Sequence, residues 1–273
     1  MASGFRSREC AFVMLDVLGF KAKLNSPNRI QEFQRFASVA EQLQTAFDCR
    51  PSGDVNDLLR RPDERALLYS DTLIYWQDAG GELTAPDALV SASAFAMRTI
   101  CAGLETGFLL RGAIASGQLL TYDVPEAIGG PVVNECAQHY ELGNWCGCHL
   151  TPSACAVLAS TPGNRQHRTG PRFARYRMPF VSKTGEVLMS EQWAVRWLDY
   201  QAEMLPKNAQ YLFDGELKSR ILGAREASQD EQLVVRQYFA NLLRRYALEN
   251  PIARGKVSST LTAIAPDLPN LDT

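Results

Sequence analysis

Apolar positions along the chain fall into short runs of strand length and longer stretches at helical spacing. Phe12-Val-Met-Leu-Asp-Val-Leu-Gly-Phe20 is apolar throughout except for Asp16, and residues 11–18 are predicted to form the first strand. Ala66 to Trp76 holds two short apolar runs around Ser70-Asp71-Thr72, the pattern of a hairpin or a sharp strand-turn-strand. Between them, Ile30, Phe33, Phe36, Val39, Leu43 and Phe47 recur near a helical period, predicting a helix over 28–47 with Pro27 near its first turn. Residues 49–64 carry two prolines and Arg60-Arg61 and read as a connector. The alanine-rich stretch from Asp87 to Glu105 is apolar on most faces, as for a helix packed on a sheet, and Phe108 to Gly117 reads as a strand. A glycine turn at Gly129-Gly130 opens a third helix reaching Leu142. Residues 174–181 and 187–197 read as late strands, separated by Ser182-Lys183-Thr184-Gly185, and from Lys207 the pattern is helical, most clearly over 231–248.

The resulting order, β-α-β-β-α-β followed by further elements, is the ferredoxin-like split βαβ arrangement. The expected fold class is therefore α+β, a mixed and mostly antiparallel sheet with helices on one face. No repeat or low-complexity linker divides the chain. A domain over 1–198 followed by a C-terminal helical extension over 199–273 is expected.

Composition narrows the function classes. The chain has 273 residues, of which 46% are hydrophobic and 21% charged, an ordinary globular balance. A formal charge of −2 provides no basic face for nucleic acid, though a small polyphosphate needs only a local site. No apolar run approaching a membrane span and no signal-peptide core at the N-terminus are read, so no membrane partner and a cytoplasmic location are expected. Seven cysteines at irregular spacings suggest reduced thiols. Cys146-Gly-Cys148-His149 lacks a second cluster to complete a zinc site, and buried thiols are expected there.

Two carboxylates are chemically conspicuous. Asp16 and Asp71 lie in apolar surroundings where an unpaired charge would cost several kcal/mol, and neither run contains Lys or Arg. A hard divalent cation shared by both would offset that cost; turn or cap roles are the alternative. Asn134, at the start of a predicted helix, could contact a ligand or serve as an N-cap.

Phe12-x-x-x-Asp16-Val-Leu-Gly19-Phe20, Ser70-Asp71, Leu110-Arg111-Gly-Ala-Ile-Ala-Ser-Gly117 and Gly129-Gly-x-Val-Val-Asn134-x-x-Ala137 occur in this order. Over residues 10–190 the set resembles the class III nucleotidyl cyclases. The resemblance implies a head-to-tail homodimer, with sites at the interface, that converts a nucleoside triphosphate to a 3′,5′-cyclic nucleotide and pyrophosphate. It implies Mn²⁺ or Mg²⁺, two divalent ions per site, on Asp16, Asp71 and the Val17 carbonyl. Backbone N–H groups of Leu18, Gly19 and Phe20 would hold phosphate oxygens. Lys183 would touch the terminal phosphate, and Asn134 of the partner subunit would orient the ribose.

Departures from the family pattern matter as much. Gln138 stands where the family carries a transition-state arginine, with Arg111 or Arg177 as replacement candidates. Leu67 and Ala127 stand where adenylate cyclases read adenine, and neither can hydrogen-bond a purine edge. A compact cyclase with such a pocket is similar to the pyrimidine cyclases of the bacterial Pycsar anti-phage system. That likeness implies UTP, or less favourably CTP, as substrate and a product acting on a separate effector protein. An adenylate or guanylate cyclase with an unusual base pocket and a catalytically degenerate nucleotide-binding module are the competing readings.

Overall fold

The computed structural model describes residues 4–48, 64–123, 126–163, 166–181, 184–207 and 215–268. The chain begins with β1 (Phe5–Val17), α1 (Phe20–Leu24) and α2 (Arg29–Asp48). The expected hairpin follows as β2 (Glu64–Tyr69) and β3 (Thr72–Ala79), then α3 (Ala85–Thr106), β4 (Leu110–Asp123), β5 (Glu126–Gly129) and α4 (Pro131–His139). Next come β6 (Gly147–Leu150), α5 (Pro152–Ala159), α6 (Gln166–Thr169), β7 (Phe173–Val181) and β8 (Val187–Val195). Helices α7 (Trp197–Met204), α8 (Glu216–Glu226), α9 (Glu231–Glu249) and α10 (Arg254–Ile264) end the described chain.

The described strands form one sheet in the order β2-β3-β1-β4-β6-β8-β7, with β5 paired to β4. Every pairing is antiparallel except β4 with β6, so the fold is α+β with a mixed, mostly antiparallel sheet. The stretch β2-β3-β1-β4 has the strand order of the split βαβ core expected from the sequence.

Alternation along β1 assigns its side chains to two cores. Ala11, Val13, Leu15 and Val17 join Leu73, Tyr75 and the buried side of α3 in the larger one, where Tyr75 stacks on Phe95 at 4.5 Å. Cys10 and Phe12 lie on the opposite face with Ile74, Trp76, Ala113 and Ala115, beneath Val132 and Cys136 of α4. The expectation of helices on one face therefore needs correction, because α4 packs on the other.

Helix α3 corrects a second expectation. Ala85–Thr106 is long and apolar enough to cross a membrane by length and composition. Fourteen of its residues are buried, from Ala88 to Leu104, which explains the apolar pattern by packing on the sheet. It starts at a capping box, in which the Asp87 carboxylate accepts from the Thr84 N–H at 3.1 Å, and ends at Gly107 in the left-handed region.

The C-terminal helices share the larger core. Val235, Phe239, Leu243 and Tyr246 of α9 and Val257, Leu261 and Ile264 of α10 belong to the same buried cluster as β1 and α3. Trp197 meets Phe239 edge-on at 6.1 Å. Two polar contacts fix the register of these helices at the end of the sheet where β1 stops. The Tyr246 hydroxyl donates to the Leu18 carbonyl at 3.4 Å, and the buried Thr260 Oγ1 accepts from the Cys146 N–H at 2.7 Å.

Candidate active site

Asp16 is the penultimate residue of β1, in register with Thr72 of β3 and Arg111 of β4. It sits on the α4 side of the sheet by the same alternation that places Phe12 there. Asp71 occupies the tight β2–β3 turn, after Ser70 at φ 57. The Val17 N–H donates to the Asp71 carbonyl at 3.1 Å, so the turn and the end of β1 are tied together. Two aspartates 55 positions apart in sequence thus meet at one end of the sheet.

Only 8% of Asp16 is exposed. Burial pushes its carboxyl up to about 6; Arg111 opposes that shift, while the negative charges of Asp71 and Glu141 add to it. Arg111 supplies the positive charge missing from the strand run itself, with Nε and Nη2 each 3.4 Å from Asp16 Oδ2. Its Nη1 donates to the Glu141 carbonyl at 2.8 Å, and Nη2 lies 3.8 Å from Glu141 Oε1. Arg111 is therefore shared between Asp16 and the segment after α4. The Tyr140 hydroxyl donates to Glu141 Oε1 at 3.2 Å. Burial, then Glu141, pushes Tyr140 up to about 12, keeping it protonated at neutral pH.

The donor set fits a hard cation of a particular kind. Two carboxylates, with the adjacent Val17 carbonyl, suit an ion that takes its remaining ligands from water and phosphate oxygens, as Mg²⁺ does. Among the described residues no group of three or more His, Cys, Asp or Glu could hold a metal by itself. Buried thiols are the expectation for the run Cys146-Gly-Cys148-His149. That segment spans the edge and body of β6, fully buried, with burial pushing Cys146 up to about 12 and His149 down to about 3. The six described cysteines are all free.

The substrate-binding candidates divide. Gly19, at φ 77, adopts the left-handed conformation that glycine favours and turns the chain from β1 into α1. The Leu18 N–H, by contrast, already donates to the Leu109 carbonyl at 2.8 Å, so it is engaged in the sheet end rather than turned to a ligand. Phe20 is buried, with its ring 5.0 Å from that of Phe36. Lys183 and the Arg60-Arg61 pair lie outside the described residues.

Asn134 and Gln138 are exposed on α4. Gly130, preceding that helix, abuts Leu120 and Gln118 on β4, whereas Glu141 beyond its end meets Arg111. The helix thus runs about 13 Å along β4, by its nine residues, and Asn134 lies toward the end away from Asp16. Within one chain the structure does not bring them together. Arg177 is exposed on the edge strand β7, four strands from β1. Leu67 packs against the core on the α4 side, and Ala127 is exposed on β5.

Three residues of the cluster were missed in the sequence: Tyr140, Glu141 and Lys256. The first two follow the Asn134 helix directly, so their place beside Arg111 follows once α4 is laid along β4. Lys256 comes from α10, 240 positions after Asp16, and no local pattern reveals it.

No family model and no curated protein matches this chain. Among solved structures it is similar to the adenylyl cyclase CyaB from P. aeruginosa, with 9% identity, a TM-score of 0.48 and coverage of 70% of this chain and 95% of that one. It is also similar to the catalytic core of a rhodopsin-guanylyl cyclase with converted specificity in complex with ATPαS. That match has 15% identity, a TM-score of 0.44 and coverage of 70% and 97%. A class III adenylyl cyclase-like ATP-binding protein from Pseudomonas aeruginosa matches at 10% identity and TM-score 0.43, over 60% of this chain and 37% of that one. At these scores and identities the chain's own residues, not the likenesses, carry the function.

Proposed function

We propose that the chain is a nucleotidyl cyclase that converts a nucleoside triphosphate to its 3′,5′-cyclic nucleotide and pyrophosphate. The observation that carries this reading is the Asp16–Asp71 pair, tied by the Val17 N–H at the end of β1, with Asp16 buried. Divalent ions, when bound, would lower the cost of ionising the 3′-hydroxyl and offset charge on the phosphates. Asp16, Asp71 and the Val17 carbonyl would hold them. The 3′-oxygen then bonds to the α-phosphorus while the α–β bridging bond breaks; the hydroxyl proton passes to water and pyrophosphate leaves. Backbone N–H groups of Gly19 and Phe20, the N-cap and first residue of α1, are the candidate phosphate donors. Asn134 of a second subunit orienting the ribose, and Lys183 on the terminal phosphate, complete the homodimeric site.

The substrate we favour is a pyrimidine triphosphate, UTP before CTP. Leu67 and Ala127 have no side-chain group to read a purine edge, which supports a rewritten base pocket. A cyclic pyrimidine nucleotide would act as a second messenger on a separate effector in anti-phage defence. The test is incubation with each of ATP, GTP, CTP and UTP plus Mn²⁺, followed by mass spectrometry. A cyclic pyrimidine product supports both levels of the reading, a cyclic purine only the coarser one, and the absence of any cyclic product contradicts both.

A second reading, a nucleotide-binding regulatory module, is favoured by one observation. Arg111 already neutralises Asp16, and Gln138 stands where a transition-state cation is expected. Nucleotide binding without turnover would select it.

A further inference from the structure

We propose that Lys256, on the C-terminal helix α10, is a triphosphate-binding residue of the Asp16 site, an inference that rests on the nucleotidyl cyclase reading. The placement follows from a chain of contacts. Thr260 Oγ1 accepts from the Cys146 N–H at 2.7 Å and donates to the Lys256 carbonyl at 2.7 Å. Cys146 directly precedes Gly147, which is in register with Arg111, and Arg111 reaches Asp16. One turn before Thr260, Lys256 therefore stands beside the end of β4 that carries Arg111. From the other side, Tyr246 of α9 is anchored on the Leu18 carbonyl, so the α9–α10 corner lies against the β1–α1 turn. The ammonium is within electrostatic reach of Arg111, Asp16 and Glu141, and burial, then Arg111, holds its pKa below the usual lysine range.

Lys256 makes no ion pair or hydrogen bond through its ammonium among the described residues, although it is half-buried. A half-buried, unpaired cation next to another cation is costly unless an anion joins them. Asp16 is already engaged by Arg111, and Glu141 is shared with Tyr140 and Arg111. An incoming triphosphate brings the negative charge the pair lacks, and Lys256 with Arg111 supplies the positive charge that Gln138 does not. The C-terminal helices would then complete the nucleotide site in addition to covering the core.

The experiment compares wild type, K256M, K256R and D16N by melting temperature, by steady-state kinetics with UTP and Mn²⁺, and by binding of inorganic tripolyphosphate. K256M is expected to melt above wild type in the absence of an anion, to raise KM and to weaken tripolyphosphate binding by about tenfold to a hundredfold, the loss of one charge-assisted contact. K256R should recover most of it. Should K256M be insoluble, K256Q replaces it in the same measurements. Unchanged KM and tripolyphosphate binding in a cyclising enzyme overturn the assignment of Lys256 alone. Faster turnover in K256M overturns it too, since the lysine would then be an obstruction. A wild type that makes no cyclic product, yet binds tripolyphosphate through Lys256, overturns the cyclase reading and leaves the anion site standing.

Discussion

The Arg111 guanidinium stands 3.4 Å from the Asp16 carboxylate, on neighbouring strands in direct register. The carboxylate that looks unpaired along its own strand is thus paired across the sheet. Arg111 also has an alternative resting place, since its Nη1 already donates to the Glu141 carbonyl. A cation arriving at Asp16 can displace one arm of Arg111 without leaving it unsatisfied.

Removing that arginine leaves a buried carboxylate without its partner. R111M is expected to lose about 3–5 kcal/mol of stability at neutral pH, the cost of breaking a largely buried pair from one side. Mn²⁺ should restore more of the melting temperature in R111M than it adds to wild type. Thermal scans with and without Mn²⁺ check this; equal Mn²⁺ effects in both proteins would show that the ion does not bind at Asp16.

The raised carboxyl gives a pH signature. Asp16 moves from the ordinary 3.8 to about 6, so between these values the folded state holds the proton more tightly than the unfolded chain. This group's contribution to stability in the absence of metal is therefore greatest at low pH and is lost as pH rises through about 6. Burial sets most of the effect, with Arg111 opposing it and Asp71 and Glu141 adding to it. Metal binding runs the opposite way, because it needs the anion. Stabilisation by Mn²⁺ should be full at pH 8 and fade as pH falls through about 6, whereas D16N should show little at either pH. Melting temperatures across that range decide it.

Much of this site was legible in the chain. Asp16 and Asp71 stood out because each interrupts an apolar run, and the split βαβ order followed from element order alone. Strand β6 did not, because it is four residues long, begins at glycine and draws its meaning from lying parallel to β4. Arg111 is visible in the sequence, but its partner is set by the register of β1 on β4, which pairs it with Asp16. Tyr140, Glu141 and Lys256 reach the site through packing across 29 to 145 residues from Arg111, a relationship that local periodicity does not encode.

Gly112 holds that register. A Cβ there would collide with the Met14 carbonyl and the Leu15 side chain. Backbone on one side cannot yield as a flexible side chain would, so G112A is expected to cost about 3 kcal/mol or more, at or above the usual range for overpacking. Chemical denaturation measures it; a loss under 1 kcal/mol would mean β4 does not lie as closely on β1 as described.

Thr260 offers a separable test of the C-terminal helices. T260V keeps the shape but removes the acceptor for the buried Cys146 N–H, at an expected cost of about 1–3 kcal/mol. If α10 carries a substrate ligand, KM for the triphosphate should rise in this variant even at temperatures where it is fully folded. Urea unfolding and kinetics on the same sample separate the two effects.

The central claim is that Asp16 and Asp71 together hold the cation needed for cyclisation. Its most direct measurement is formation of cyclic nucleotide from UTP over a Mn²⁺ titration, in wild type, D16N and D71N, by mass spectrometry. Product that rises with Mn²⁺ in wild type and is absent from both folded variants is the predicted result. Cyclic product persisting in either variant, or none from any triphosphate in the folded wild type, would contradict it.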